Sequence, residues 1–205
     1  MWRRSAVSAV SVLIVVFVGC SSPKPDDRNY ATKVAQERAD KDALFLKGDD
    51  PIPQRKKADL LPLAYFPIDP DYNVAASLTP SNDPEVVPMP TSSGQPRQMR
   101  KAGTLEFILK GQPLKITAFV DLSDRDLNHL TVMFKDLTSG TETYDPGRYI
   151  DLDRSPTGVY ALDFNRAYHP YCYYNGSYEC PIPPAENRLT IPIRAGERMK
   201  LKSEK

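Results

Sequence analysis

The residues best placed to do chemistry lie between positions 148 and 188. Asp163 and Asn165 share one strand face, because side chains alternate with period two along a strand. Arg148, Arg166, Tyr168, His169, Glu186, Asn187 and Arg188 fall in the neighbouring turns. An acid, an imidazole, amides and guanidinium groups gathered in one region can bind an anion or carry out acid–base work. The same groups can form a structural network instead. In that reading Glu186 and Arg188 tie down proline-rich loops, while Asp163 and Asn165 satisfy backbone groups in turns, which is the commoner use of such residues.

Five tyrosines, at 168, 171, 173, 174 and 178, crowd into the same region. A tyrosine combines an apolar ring with a wet tip, so the cluster suits a platform for a sugar, a peptide or a lipid surface, or the packing of a small hairpin. Cys172 and Cys180 flank an Asn175-Gly176 turn signal. A two-residue loop at 175–176 would send the two thiols to opposite sides. An odd-numbered loop centred on Gly176 would set them opposite each other and permit a disulfide, so a Cys172–Cys180 bridge is expected.

Other chemistries find no purchase. Asp69-Pro-Asp71-Tyr-Asn73 and Asp124-Arg-Asp126-Leu-Asn128 imitate the first ligands of an EF-hand, but Val74 and His129 occupy the glycine position and Pro80 and Lys135 the final glutamate position. Two histidines, His129 and His169, leave little for a metal centre, so neither metal nor cofactor is expected. GxGxxG, P-loop, GxSxG and HExxH patterns are missing from the sequence.

The elements that must position these residues are strands. Leu105, Phe107 and Leu109 alternate with Thr104, Glu106 and Ile108, Lys110-Gly111 is a tight-turn signal, and Leu114, Ile116, Ala118 and Val120 alternate on the return. Leu130, Val132 and Phe134 repeat the period, followed by Glu142–Tyr144, Tyr160–Phe164 and Leu189–Ile193. Shorter strands are expected at Tyr72–Leu78 and Glu85–Met89, with Pro88 and Pro90 confining the latter to an edge. Regular turn signals indicate a mainly β fold, an antiparallel β-sandwich or partly open barrel. One amphipathic helix is expected from about 30 to 46, capped by Asn29 and stopped by Gly48, with an apolar face so thin that it must pack on the domain edge. Twenty prolines in 205 residues argue against a helix bundle.

The N-terminus reads as an address. Arg3 and Arg4 precede an apolar run from Ala6 to Val18, too short to span a bilayer. Phe17-Val18-Gly19-Cys20 resembles the lipobox of bacterial lipoproteins. The resemblance implies cleavage after Gly19 and lipidation of Cys20, with more than one acyl chain giving stable anchoring. Residues 1–19 are then a signal peptide, 20–29 a lipidated tether, 30–198 a single β-rich domain and 199–205 a charged tail. Ser21 is not the aspartate of inner-membrane retention, which points to the outer membrane, facing the periplasm, in a host with two membranes. Losing Arg3 and Arg4 leaves 25 basic against 26 acidic residues, which excludes a protein that holds nucleic acid by bulk positive charge.

The stretch from Glu142 to Glu197 resembles the bacterial and archaeal family catalogued as domain of unknown function 1684. The matching residues are Gly147-Arg148-Tyr149, Leu162-Asp163-Phe164-Asn165-Arg166-Ala167-Tyr168, Pro170, Cys172, Cys180-Pro181, Pro183-Pro184, Glu186-Asn187-Arg188-Leu189, Pro192-Ile193 and Ala195-Gly196-Glu197. Pro146, His169 and Tyr171 depart from the pattern. The resemblance covers about residues 35 to 198 and implies no activity. From the residues themselves the expected function is a membrane-tethered binding or interaction module for an unidentified ligand or protein partner, contacting it through the Tyr168–Arg188 region. The alternative is an envelope hydrolase using Asp163, Glu186 and an arginine. The two differ in geometry: an enzyme requires those groups to converge in a pocket, whereas a binding module requires a tyrosine-lined surface beside polar groups locked in backbone hydrogen bonds.

Overall fold

The structure, a computed structural model, describes residues 27–48, 51–82, 85–123 and 127–200. Cys20, the signal segment, most of the tether, the end of the charged tail and the 124–126 part of the second EF-hand-like stretch lie outside them. Helices α1 (Asp27–Lys47) and α2 (Gln54–Leu60) lead into strands β1 (Ala64–Tyr65), β2 (Asn73–Pro80), β3 (Val86–Met89), β4 (Arg97–Leu109), β5 (Gln112–Asp121), β6 (His129–Phe134), β7 (Arg148–Asp153) and β8 (Val159–Asp163). A short helix α3 (Tyr171–Tyr174) and strand β9 (Glu197–Arg198) follow, with 3-10 turns at Pro70–Tyr72, Phe164–Arg166 and Ala185–Asn187.

Seven strands form one antiparallel sheet in the order β7-β6-β5-β4-β2-β8, with β3 also on β4. Lys110 and Gly111 both adopt positive φ, +49° and +78°, the backbone that a two-residue turn between twisted strands demands. β3 pairs only with β4, so Pro88 sits on an edge as its missing donor requires. The sheet curls until its two ends meet: Tyr149 of β7 and Tyr168, just beyond β8, exchange both backbone hydrogen bonds at 2.9 Å. The result is a nearly closed barrel, filled by Leu105, Phe107, Ile116, Val120, Leu130, Val132, Phe134, Ile150, Leu162 and Phe164.

Several elements differ from the sequence expectation, each for a visible reason. α1 starts at Asp27, so Asn29 lies within it and is not its cap. α2 was not expected, and it carries the charged run Arg55-Lys56-Lys57. Yet Lys57 is buried, and its ammonium caps the end of α1 by donating to the carbonyls of Leu46 and Gly48. The expected strand at Glu142–Tyr144 is a turn, since the amides of Glu142 and Thr143 both donate to Thr138 O. The expected strand at Leu189–Ile193 is irregular. Pro192 has no donor, and Arg148 claims the carbonyls of Ile193 (2.7 Å), Ala195 (2.5 Å) and Glu197 (3.1 Å). Arg148 is itself paired with buried Asp136 at 2.9 Å.

One side chain substitutes for missing sheet. β5 and β6 share a single bridging pair, Phe119 with Thr131, and diverge beyond it. Asn187 fills the gap: its amide donates to Thr117 O (2.8 Å) and Met133 O (2.7 Å) and accepts from Thr117 N–H (2.8 Å). Asn187→Ala would leave three buried backbone groups unpaired, at a cost of roughly 3 kcal/mol at about 1 kcal/mol each. Urea unfolding should show that loss, while Glu186→Gln, next to it but exposed, should stay within about 0.5 kcal/mol of wild type.

Candidate functional site

The polar residues singled out above do not form one site. Asp163 and Asn165 are buried in a knot that docks α1. Asp163 accepts from Tyr30 OH (2.8 Å), Asn165 N–H (3.0 Å) and Arg166 Nη1 (2.6 Å). Asn165 donates to Tyr30 OH (2.9 Å) and Asp69 O (2.8 Å) and accepts from Asp69 N–H (3.0 Å). Arg166 grips Glu37 of α1 through two hydrogen bonds, 2.8 and 3.0 Å, which hold the Glu37 carboxyl below its ordinary pKa. Arg148 and Asn187 hold backbone, as described. Glu186 and Arg188 are exposed on a 3-10 turn packed against β5, away from the Asp163 knot. The carboxylate pair that a hydrolase would need is therefore dispersed.

His169 is buried beside Glu197, a residue the sequence reading did not count as a site. The Glu197 carboxylate, 2 % exposed, accepts from Lys41 Nζ of α1 (2.6 Å), His169 N–H (2.8 Å) and Tyr174 OH of α3 (2.5 Å). Burial alone would raise its pKa, but the Lys41 ammonium and these donors hold it below the usual carboxylate range. Gly196 makes the approach possible: at φ +75°, a Cβ there would overlap the carbonyl oxygens of Ala167 and Phe164. Burial pushes His169 down to about 4, so its ring is neutral at pH 7 and accepts from Tyr144 N–H at Nε2 (3.3 Å).

What remains accessible is aromatic. A cleft of about 600 Å³ opens between α1 and the 168–181 segment, and a second of about 480 Å³ adjoins it on the outer face of the sheet. The two share Arg97, Tyr149, Asp151, Tyr168, Tyr171 and Pro181, so they form one groove. Period two in β7 puts Tyr149 and Asp151 on its floor, and the same alternation in β6 adds Thr131 and Met133. The partners of these strands' inward residues are in the barrel core. Leu44 and Phe45 of α1, with Tyr171 and Tyr178, complete the lining, and Phe45 meets Tyr171 edge to face. Tyr168 OH donates to Asp151 Oδ2 (2.6 Å), and Tyr149 OH to Pro181 O. Of the candidates from the sequence, Tyr168, Tyr171, Tyr178 and Cys180 line this groove. Asp151, Tyr149, Arg97 and Lys41 were missed, although the Tyr149/Asp151 spacing on one strand face was there to be read.

The expected Cys172–Cys180 disulfide is not formed; both are free thiols. The hairpin that would have faced them is replaced by the helical turn of α3, which instead aims Cys172 N–H at Cys180 Sγ (3.1 Å). The hydrogen bond from the Cys180 thiol draws Cys172 down to about 6 and pushes Cys180 up. Among the described residues no cluster of His, Cys, Asp and Glu could hold a metal ion, and no helix is long and apolar enough to cross a membrane.

The neutral, buried His169 predicts a pH dependence. Its folded pKa of about 4 lies below the ordinary 6.5, so between these values the unfolded chain binds the extra proton and acid destabilises the fold. Lowering the pH from 7 to 4.5 should cost roughly 2 kcal/mol through this residue. The depressed Glu197 loses its contribution only below about 4.5, outside that window. Urea unfolding across this range should show the loss in wild type and its removal in His169→Gln.

Comparison with known proteins agrees with this architecture and adds no chemistry. A solution NMR structure of an uncharacterized protein from Haloarcula marismortui superposes with a TM-score of 0.68 at 37% identity, covering 86% of this chain and 98% of that one. No curated protein matches. The family model described as protein of unknown function (DUF1684) matches residues 59–198, from α2 to β9, and the chain belongs to that family.

Proposed function

We propose that the protein is a lipid-anchored envelope protein whose domain works as a binding module, with the tyrosine-walled groove as its ligand site. The observation that carries this reading is the division of labour among the polar residues. Asp163, Asn165, Asn187, Arg148 and Glu197 are consumed by internal hydrogen bonds, while the groove is lined by Tyr149, Tyr168, Tyr171 and Tyr178. Aromatic walls with a few placed polar groups describe a binding site. A hydrolase acting through Asp163 and Glu186 would need them to share a cleft, and their dispersal favours binding.

The anchor rests on Cys20 and the signal-like segment before it. Two or more acyl chains would hold the domain at a bilayer, and the residues between Cys20 and α1 would serve as a short tether. In cell fractionation, wild type should partition with membranes and Cys20→Ala should not. Mature wild-type protein carrying residues 1–19 and an unmodified Cys20 would refute the anchor.

The groove is tested separately. Metabolites and glycans are screened against the full chain by thermal shift, and each hit is repeated on Tyr171→Ala and Tyr178→Ala. Hits should lose most of their affinity on these variants, since a stacked aromatic contributes on the order of 1 kcal/mol or more. Hits that bind the variants unchanged would move the site elsewhere.

A further inference from the structure

We infer that the groove recognises an alkylammonium group, a primary amine carried on a flexible apolar chain. This deepens the binding-module reading and rests on it. The first argument is the arrangement of the rings. Tyr149 and Tyr168 meet at 68°, Tyr171 and Tyr178 at 74°, and Phe45 and Tyr171 at 77°. These are edge-to-face packing contacts, which leave the exposed Tyr171 and the half-buried Tyr178 as the rings whose remaining faces can meet a cation.

The second argument is charge. The 600 Å³ cleft is lined by Asp40, Asp151 and Glu179 against Lys41 and Arg97. Both cations are already matched by carboxylates outside those three: Lys41 pairs with Glu197 at 2.6 Å and Arg97 with Asp121 at 3.1 Å. Among the described residues the three carboxylates have only neutral hydrogen-bond partners, although Arg97 also donates to the Glu179 backbone carbonyl (2.9 Å). Asp40 accepts from Gln36, Asp151 from Tyr168 and Thr131, and Glu179 from Ser93. The groove therefore carries more carboxylates than cations beside its aromatic walls.

The third argument is that the groove already holds one ammonium of the right kind. Lys41 Nζ lies 4.8 Å from the Tyr168 ring centroid and 5.3 Å from that of Phe45. The ligand's amine would take the equivalent position against Tyr171 and Tyr178, between Asp151 and Glu179. Its methylenes would lie along Leu44 and Pro181, both in the lining.

Isothermal titration of spermidine into the full chain in detergent micelles tests this. Binding should weaken at least tenfold in Asp151→Asn and in Glu179→Gln, each of which keeps one acceptor oxygen but loses the charge, and should weaken with added salt. Asp59→Asn, on the exposed face of α2, should leave it unchanged. A trilysine arm distinguishes the source of the amine: tighter binding of spermidine assigns a free polyamine, tighter binding of trilysine a lysine side chain, and either supports the inference. Equal weakening by Asp59→Asn would reveal diffuse attraction and overturn it. Uncharged glycans binding at Tyr171 and Tyr178 while spermidine does not would also overturn it, leaving the groove as a binding site. If no probe responds to Tyr178→Ala, the binding-module reading fails as well.

Discussion

The Glu197 carboxylate is the constraint on which the accessible surface depends. It touches all three segments framing the groove: α1 through Lys41, the turn after β8 through His169, and α3 through Tyr174. A buried carboxylate is tolerable only if its charge is matched and its lone pairs are filled. Here both conditions are met by residues that are far apart in sequence. The pairing explains how a helix with little apolar face is held. Val34 and Phe45 bury, Leu44 and Leu46 do not, and α1 is fixed by the polar seam that runs from Tyr30 through Glu37 and Arg38 to Lys41.

The barrel and the groove obey different physics. The barrel is specified by alternation, with inward residues of β4 to β8 merging into one apolar core. The chain after β8 forms almost no regular structure, and its backbone is satisfied by side chains. Arg148 takes three carbonyls of residues 193–197, and Asn187 bridges β5 and β6. Such a segment is not bound to the pleat, so its rings are not held to strand spacing. Polar residues buried for this purpose have no solvent-facing chemistry left to offer.

This division also explains what could be read in advance. The β4–β5 hairpin, the edge position of β3 and the helix near residues 30–46 follow from periodicity, proline and turn chemistry, which are local. β7 escaped notice because Arg148, Tyr149 and Ile150 are all buried, so its first half shows no alternation. Asp163, Asn165 and Asn187 were legible as notable, but their partners at Tyr30, Asp69, Thr117 and Met133 are set by the fold and not by spacing. Of the candidate site only the tyrosines survived, since an aromatic cluster keeps its character wherever the chain places it. The role of Glu197 depends on contacts across 156 residues and leaves no trace in local pattern.

Hydrogen exchange on Glu197→Gln tests the central claim most directly. The substitution keeps the size of the side chain but removes the charge that holds Lys41. The account predicts that amides of α1 and of residues 168–174 exchange about tenfold faster or more, while those of β4 and β5 keep wild-type protection. Uniform loss of protection across barrel and helix, or no change in α1, would contradict it.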